Sequence, residues 1–287
     1  LCIALLGPGD EAIIPAPYWV SYPDMVRLAE AEPIFIPTGI DQHFKISAEQ
    51  LEAAITSKTK LLILNSPSNP TGSSYSQAEL EALGRVLEDH PSVVTVSDDI
   101  YEHIHWGAEP FISFATACPN LRERVVTTNG VSKAYAMTGW RIGYAAGPEK
   151  IVRAMATVQS QSTSNPCSIS QVAATAALDG DQAPVAAMTA AYKERHDYFV
   201  AGLNEIAGFE CRRGEGTFYA FPRVTELLQA LDMETDIQLV ERLLSKADVA
   251  CVPGSAFGAP GYLRLSFACS MESLEEALNR IKRGLAA

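Results

Sequence analysis

The chain has 287 residues, of which 47% are hydrophobic and 20% charged, so its composition is that of an ordinary globular protein with enough apolar material for one large domain or two. Its 22 Lys and Arg against 34 Asp and Glu give a net charge of −12, which argues against a nucleic-acid-binding surface, since that needs a basic stripe. No apolar stretch is long enough for a membrane span, and the six scattered cysteines contain no C-x-x-C pair, which indicates free thiols in a reducing, cytoplasmic compartment.

The first ten residues read as the end of a helix. Leu1–Leu6 is apolar, but it lacks the charged start and the small-residue cleavage site of a signal peptide. The segment Gly7-Pro8-Gly9-Asp10 follows it and is typical of a helix stop. We therefore expect further sequence to precede Leu1 in the whole protein.

The first two-thirds of the chain alternates short apolar strands with helices. Ser47-x-x-Gln50 and Ser76-x-x-Glu79 fit the capping box and predict the starts of two of these helices. Strands and helices in alternation predict an α/β fold with a mostly parallel sheet that is covered on both faces. The predicted strands are Glu11–Ile14, Pro33–Ile36, Leu61–Leu64, Val93–Val96, Val125–Thr128 and Ile142–Ala146.

The last third of the chain has a different pattern. Pro148–Arg195 reads as mainly helical, with breaks near Ser164-Asn165-Pro166 and near Gly180. The residues beyond it predict a smaller α+β domain, so we divide the chain into a large domain over 1–197 and a small C-terminal domain over 198–287. The predicted elements of the small domain are a helix through Val200–Ile206, strands Gly216–Phe221, Val249–Val252 and Tyr262–Phe267, and helices Ile237–Leu244 and Met271–Leu285.

Polar side chains follow three of the predicted strands. Asn65 and Asn69 come after the third strand, Asp98 and Tyr101 after the fourth, and Lys133 after the fifth. In open α/β sheets, ligands bind outside the carboxyl ends of the strands. If the strands are parallel, these side chains share one edge of the sheet and converge there.

Lys133 and Arg141 together indicate a cofactor. A lysine amine forms a Schiff base with an aldehyde, and an arginine offers a planar, permanently charged fork that suits phosphate. An aldehyde that carries a phosphate describes pyridoxal phosphate. A buried Asp98 can keep the pyridine nitrogen of that cofactor protonated, which makes the ring an electron sink. An Asn amide and a Tyr hydroxyl can hydrogen-bond its phenolic oxygen, and Trp19 or Tyr18 can stack on the ring.

Each of these residues also has a simpler explanation when it is taken alone. A lysine on a loop is usually solvated surface, Asn-Pro-Thr-Gly is a common turn, and Asp98-Asp99 can cap a helix. Trp19 by itself is more often part of a core or an interface. Their joint order after successive strands favours the cofactor site.

Two further patterns leave alternatives open. His103-Ile-His105 could place two imidazoles on one strand face as metal ligands, but no supporting acidic or cysteine partner is near in sequence, so an exposed strand edge is favoured. Arg264 lies in the middle of an alternating strand, where a charge is costly unless it is paired. It either pairs with a carboxylate of this protein or binds the carboxylate of a substrate between the domains.

The chain resembles the class I aminotransferases, which have the fold-type I pyridoxal phosphate architecture, and among them most closely the bacterial aspartate aminotransferases. The resemblance extends over essentially the whole chain. The motifs that carry it are Pro15-Ala-Pro-Tyr-Trp19-Val-Ser-Tyr-Pro23, Asn65-Ser-Pro-Ser-Asn69-Pro-Thr-Gly72, Ser97-Asp98-Asp-Ile-Tyr101, Ser132-Lys133 through Arg141, Gly214-Glu-Gly-Thr-Phe-Tyr-Ala-Phe-Pro222, Val252-Pro-Gly-Ser-Ala-Phe-Gly258 and Leu263-Arg264-Leu-Ser-Phe267.

The resemblance implies a role for each matching residue in holding the cofactor. Lys133 would form the Schiff base and move the substrate proton. Asp98 would pair with the pyridinium nitrogen, and Tyr101 and Asn69 would hydrogen-bond the phenolic oxygen. Trp19 would stack on the ring.

The phosphate and the substrate would be held by other residues. Arg141 would bind the phosphate, and Arg264, assisted by Asn69, the α-carboxylate of the amino acid. The family often has Ser three positions before the Schiff-base lysine, where this chain has Gly130, so Ser132 is expected to substitute. The family also has an N-terminal stretch before the position of Leu1, with a phosphate-binding turn.

The implied function is transamination between an amino acid and a 2-oxo acid, with aspartate and 2-oxoglutarate as the expected pair and a homodimer as the expected assembly. Three alternatives remain on the same fold: a prephenate or aromatic transaminase, a carbon–sulfur lyase, and a non-catalytic aminotransferase-like domain. The resemblance implies neither a nucleic-acid nor a membrane partner.

Overall fold

A six-stranded sheet forms the centre of the larger part of the computed structural model, which describes the backbone of residues 1–286 and the side chains of residues 1–285. The spatial order is β2-β1-β3-β4-β5-β6. The first five strands pair in parallel, and β6 runs antiparallel to β5. The strands are β1 Glu11–Ala16, β2 Glu32–Pro37, β3 Thr59–Asn65, β4 Val94–Asp98, β5 Val125–Gly130 and β6 Gly143–Ala146.

Helices connect the strands and continue to the end of the chain. Two of them, over 48–54 and 77–88, begin at the capping boxes of Ser47 and Ser76, so both predicted starts are confirmed. The helices are α1 Cys2–Leu5, α2 Ser21–Leu28, α3 Ala48–Ala54, α4 Gln77–Glu88, α5 Phe114–Ala117, α6 Glu149–Ser160, α7 Ser168–Asp179, α8 Ala183–Asn204, α9 Thr225–Ala230, α10 Asp236–Ala247 and α11 Met271–Ala286.

The central strands are buried on both faces, as the predicted α/β fold requires. Successive side chains of a strand point to opposite faces. In β1, Ile13 packs in a cluster with Leu80 and Leu83 of α4, whereas Ile14 packs in a cluster with Val26 of α2. A continuous apolar run is typical of such a doubly covered strand. The prediction of a mostly parallel sheet covered on both faces is therefore confirmed.

A second, three-stranded antiparallel sheet lies in the C-terminal part, with spatial order β7-β9-β8. It consists of β7 Tyr219–Ala220, β8 Val252–Pro253 and β9 Leu263–Ser266. Apolar side chains from α8, α10 and α11, including Leu203, Leu243 and Leu278, form a buried cluster with this sheet. Its mix of helices and antiparallel strands agrees with the predicted α+β character.

Two predicted strands of this part were too long. The amides of Gly216 and Thr217, the first residues of one predicted strand, donate to the carbonyls of Gly72 and Ile104 in loops of the larger part instead of to a strand. Residues 249–251 follow the left-handed Asp248, and the amide of Val249 bonds back to Leu243 at the end of α10. Apolar, β-branched composition predicted strands there, but the backbone groups find other partners.

Helix α8 runs unbroken through residues 197 and 198, between which the sequence places a domain boundary. Its first half has no buried residue and consists mostly of small apolar side chains, and its last turns contribute Phe199, Val200 and Leu203 to the C-terminal core. The helix therefore connects the two parts of the chain as one continuous element.

Candidate active site

The carboxyl ends of β3, β4 and β5 meet at one edge of the large sheet. Asn65, the last residue of β3, is in register with Asp98, the last residue of β4, and Asp98 is in register with Thr128 of β5. A cavity of about 440 Å³ opens at this edge. It is lined by Trp19, Tyr22, Asn65, Asn69, Asp98, Ile100, Tyr101, Thr128, Asn129, Lys133, Tyr219 and Arg264.

Asp98 presents a half-buried carboxylate to the cavity. The hydroxyl of Tyr22 donates to its Oδ2 at 2.5 Å, and the amide of Ile100 donates to its Oδ1 at 3.4 Å. Burial raises the pKa of the Asp98 carboxyl, and both hydrogen bonds oppose that rise. No cation of the described side chains forms an ion pair with Asp98, so its charge is available to a ligand.

Asn65 at the end of β3 and Asn69 in the loop after it stabilise this edge of the sheet through side-chain hydrogen bonds. The Asn65 amide donates to the carbonyl of Asp98 at 2.8 Å, and its Oδ1 accepts from the backbone N–H of Asn69 at 2.8 Å. Asn69 is buried, and its own Oδ1 accepts from Arg264 at 3.0 Å. Asn65 thus links the ends of two strands and positions Asn69 beside the cavity.

Tyr101 lies almost completely buried behind the cavity, with 2% of its surface exposed. Its hydroxyl donates to the hydroxyl of Tyr219 at 3.4 Å. Burial, and then the neighbouring Tyr219, raise the pKa of Tyr101 well above its ordinary value. The hydroxyl therefore stays protonated near neutral pH and can donate a hydrogen bond.

Lys133 follows β5 and is half-buried. Its Nζ lies 5.9 Å from the centroid of the Phe218 ring. Burial, followed by the positive charges of Arg141 and Arg264, lowers the pKa of the Lys133 ammonium. The neutral amine is the nucleophilic form of lysine, so this environment favours attack on a carbonyl.

Arg264 reaches the cavity from β9 of the small sheet. Its guanidinium carbon lies 4.4 Å from the centroid of the Tyr219 ring and 4.9 Å from that of Phe257. Among the described side chains no carboxylate pairs with it, so the first of the two alternatives, a partner carboxylate within this protein, was wrong. Its free donors face a space where a ligand carboxylate can pair with them.

Trp19 contributes to the wall of the cavity from the turn before α2. Its ring meets that of Tyr22 edge-on, with centroids 5.3 Å apart and planes at 88°. Tyr18, the other predicted candidate for ring stacking, stacks instead on Phe35 at a centroid distance of 5.0 Å. Of the two aromatic residues, Trp19 alone is on the cavity wall.

Two predicted site residues, Ser132 and Arg141, do not line this cavity. Ser132 is partly exposed next to Lys133, and Arg141 is exposed and donates to the carbonyl of Thr138 at 3.2 Å. The Arg141 charge nevertheless acts on Lys133. At Gly130 an added Cβ would approach the carbonyl of Ile142 to 2.9 Å, so the fold leaves no room there for the serine that the family often has.

Sequence reasoning missed several residues of the site. Tyr22 and Tyr219 were not predicted, although both contact predicted residues, and Asn129 and Thr128 also line the cavity. The position of Tyr22 was a usable signal, because it lies three residues after Trp19, in the first turn of the helix that follows. Nothing local to Tyr219 indicates that it faces a cavity formed with another part of the chain.

Two further expectations concern a metal site at the histidine pair and a membrane-spanning segment. In the part of the chain that the structure describes, no group of three metal-ligating side chains includes His103 or His105 or occurs elsewhere. His105 is half-buried, and burial lowers its pKa. Among residues 1–286, no helix combines the length and the apolar character that crossing a bilayer requires.

The chain is similar over almost all of its length to known proteins. The family profile described as "Aminotransferase class I and II" matches residues 1–281. An aspartate/prephenate aminotransferase from Nitrosomonas europaea is 55% identical over 98% of this chain and 72% of its own length, and an aspartate aminotransferase from Bacillus subtilis is 49% identical over 97% of this chain and 71% of its own.

The fold agrees with that similarity. The crystal structure of an aspartate aminotransferase from Rhizobium meliloti superposes with a TM-score of 0.95 at 47% identity, over 99% of this chain and 72% of that one. Sequence and fold thus lead to the same group of enzymes, and the residues around the cavity supply the amine, carboxylate, hydroxyl and guanidinium groups described above. The chain belongs to the class I and II aminotransferases.

Proposed function

We propose that this enzyme binds pyridoxal phosphate and transfers the amino group of aspartate to a 2-oxo acid such as 2-oxoglutarate. Aspartate is the substrate named for its similar relatives. The observation that carries the proposal is the convergence of Lys133, Asp98, Tyr101 and Arg264 on one cavity.

The residues of the cavity fit that cofactor. Asp98 is a carboxylate without a cationic partner in the described chain, which suits a protonated ring nitrogen, and Tyr101 is a protonated donor, which suits a phenolic oxygen. Lys133 would hold the aldehyde carbon, and Trp19 would cover one face of the ring. Arg141, with Ser132 as its neighbour, would bind the phosphate. When bound, pyridoxal phosphate withdraws electrons from the amino acid and so makes its Cα proton acidic.

The chain's own residues then bind the substrate and move its proton. Arg264 and Asn69 hold the α-carboxylate, which fixes the Cα of the amino acid near Lys133. The Lys133 amine, whose pKa is lowered, accepts the Cα proton and can return it at another atom. Burial raises the pKa of Asp98, and the hydrogen bonds from Tyr22 and Ile100 oppose that rise by stabilising its charged form.

A second candidate substrate is prephenate. The relative from Nitrosomonas europaea is named for both aspartate and prephenate, and it is 55% identical to this chain. Aspartate and prephenate both carry a carboxylate next to the reacting carbon, and this is the group that Arg264 would bind.

We also propose a homodimer in a reducing compartment. The exposure of α6 and α7 supports the dimer, because α6 has no buried residue and Ile169 and Val172 of α7 are 78% and 71% exposed. Free thiols support the compartment, since all six cysteines are unpaired.

The decisive experiment replaces the lysine. Lys133→Ala removes the amine, so we expect the visible absorption band of the lysine-bound cofactor to disappear and transamination of aspartate with 2-oxoglutarate to be lost. Lys246→Ala, at an exposed position on α10, is the matched control and should retain both. A Lys133→Ala enzyme that still turns over would refute the proposal. Replacing aspartate by prephenate's amino counterpart, and by aromatic amino acids, in the same assay separates the two candidate substrates.

A further inference from the structure

The Arg264 guanidinium contacts an amide and two aromatic rings of the described chain, but no carboxylate there forms an ion pair with it. Its hydrogen bond to Asn69 is 3.0 Å long and joins residues 195 positions apart in sequence. Two aromatic rings, those of Tyr219 and Phe257, contact the guanidinium at 4.4 and 4.9 Å. An arginine side chain has several rotatable bonds, and ordering them costs free energy when a ligand binds.

The two rings differ in what else they do. Phe257 is 1% exposed and packs against Phe221 in a small buried cluster that also contains Ile40, Phe44 and Tyr262, so its role is in that packing. Tyr219 is on the cavity wall, and the pairing of β7 with β9 holds it beside Arg264. Of the two rings, Tyr219 is therefore the one that contacts Arg264 inside the cavity where the substrate would bind.

We propose that Tyr219 is a positioning residue for the substrate carboxylate: its ring holds the Arg264 guanidinium in the orientation in which Asn69 and the ligand can both bind it. The ring face attracts the cation and restricts its side chain before the ligand arrives. Because the ring already restricts the Arg264 side chain, less conformational entropy is lost when a carboxylate binds, and the affinity for carboxylates is higher. This inference rests on the proposed function, because it assigns Arg264 to the α-carboxylate.

The hydroxyl of Tyr219 has a separate contact. It accepts a hydrogen bond from Tyr101 at 3.4 Å, near the long end of the range for such bonds. If the ring is what matters for Arg264, removing the hydroxyl alone leaves carboxylate binding intact. Comparing Tyr219→Phe with Tyr219→Leu therefore separates the contribution of the ring from that of the hydroxyl.

The test measures succinate binding by isothermal titration calorimetry on the protein loaded with pyridoxal phosphate. Tyr219→Leu removes the ring, and we expect the Kd to rise about tenfold, as for loss of a desolvated cation–π contact. We expect Tyr219→Phe to stay within about twofold of the wild type. Phe44→Leu is the matched control, since Phe44 packs on Phe221 and Tyr262 without touching Arg264 in the described contacts.

Kinetics supply a second measurement that a merely structural role would not reproduce. For Tyr219→Leu we expect a higher KM for aspartate with little change in kcat, because the lost contact acts on the bound substrate and the transition state alike. Tyr219→Met, which fills the space without a ring, replaces the leucine variant if that one does not fold. Its Kd should rise by a similar factor.

The outcomes separate this inference from the proposed function. A wild-type protein that neither binds succinate nor transaminates aspartate would refute the proposed function. A working wild type with an unchanged Kd in Tyr219→Leu and Tyr219→Met would overturn the role of Tyr219 alone. A Tyr219→Phe variant as impaired as Tyr219→Leu would also overturn it, since the hydroxyl would then be the active part.

Discussion

At the residue scale, the sequence indicates the charged groups of the site but not the neighbours that set their protonation. Asp98 was predicted from its place after a strand, because strand ends meet at one edge of a parallel sheet. Its hydrogen-bond donor Tyr22 lies 76 positions earlier, on α2. A contact over that distance depends on how the helix packs on the sheet, and local pattern contains no information about it.

Removing the Tyr22 hydroxyl should shift the pH profile of the enzyme. The hydrogen bond favours ionised Asp98 and so lowers its pKa, against the rise caused by burial. Tyr22→Phe removes that effect, so the pKa of Asp98 rises further, because a hydrogen bond to a carboxylate stabilises its charged form. Activity that needs ionised Asp98 is then lost at a higher pH on the acid side.

The measurement is kcat/KM for aspartate between mildly acid and mildly alkaline pH. Tyr198→Phe, at a 39% exposed position on α8, is the control and should leave the profile unchanged. An acid limb that stays in place or moves to lower pH in Tyr22→Phe would show that Tyr22 does not set the protonation of Asp98.

At the element scale, local signals were reliable where backbone groups find partners within their own segment. The capping boxes of Ser47 and Ser76 each satisfy the free amides of one helical turn, which requires no tertiary contact. The strands of the small sheet were less predictable, because the amides of Gly216, Thr217 and Val249 lie in predicted strands but donate to groups outside any strand. Strand formation depends on a partner strand, and composition alone does not say which partner is near.

Helix α4 should lose stability when its cap is removed. Ser76→Ala deletes the side chain that accepts from the Glu79 amide, and such N-cap losses cost about 1 kcal/mol. In a chain of this size we expect the Tm to fall by about 2–4 °C. The measurement is thermal unfolding followed by circular dichroism, with Ser245→Ala, at an exposed interior position of α10, as the control. Equal Tm values for the two variants would contradict the cap's contribution.

At the scale of the whole molecule, the backbone at Gly72 packs closely against the backbone of residues 214–216, and this is one of the contacts between the two parts of the chain. The carbonyl of Gly72, at the end of the loop that carries Asn69, accepts from the amides of Glu215 and Gly216 at 2.8 and 3.0 Å. The amide of Gly214 donates to Nε2 of the buried His196 at 3.0 Å. The loop that makes this contact also carries Asn69, whose Oδ1 accepts from Arg264 of the small sheet at 3.0 Å.

Separating the two segments should weaken both stability and substrate binding. In Gly214→Ala the new Cβ would lie 3.1 Å from backbone atoms of Gly72, so one segment must move. We expect a loss of about 1–3 kcal/mol of stability, as for other overpacked sites, together with a higher KM for aspartate. Gly7→Ala is the control, because no atom lies within 4 Å of its added Cβ. Unchanged Tm and KM in Gly214→Ala would contradict this account of the contact.

The division of the chain between residues 197 and 198 stays a prediction. Helix α8 crosses it without a break, while its last turns pack in the C-terminal core. The boundary was drawn where the sequence pattern changes, and a long helix can belong to both sides of such a change.

By itself, the sequence determined the α/β fold and the starts of two helices, and it predicted the chemical groups of Lys133, Asp98, Asn69, Tyr101 and Arg264, because periodicity, capping and strand-end placement are local properties. The tertiary structure alone decided how these groups are tuned. It brought Tyr22 to Asp98, Tyr219 to Arg264 and two arginines near Lys133. Among the side chains of residues 1–285, it also placed no carboxylate in an ion pair with Arg264. Such effects depend on burial and on contacts between distant residues, which arise only when the whole chain packs.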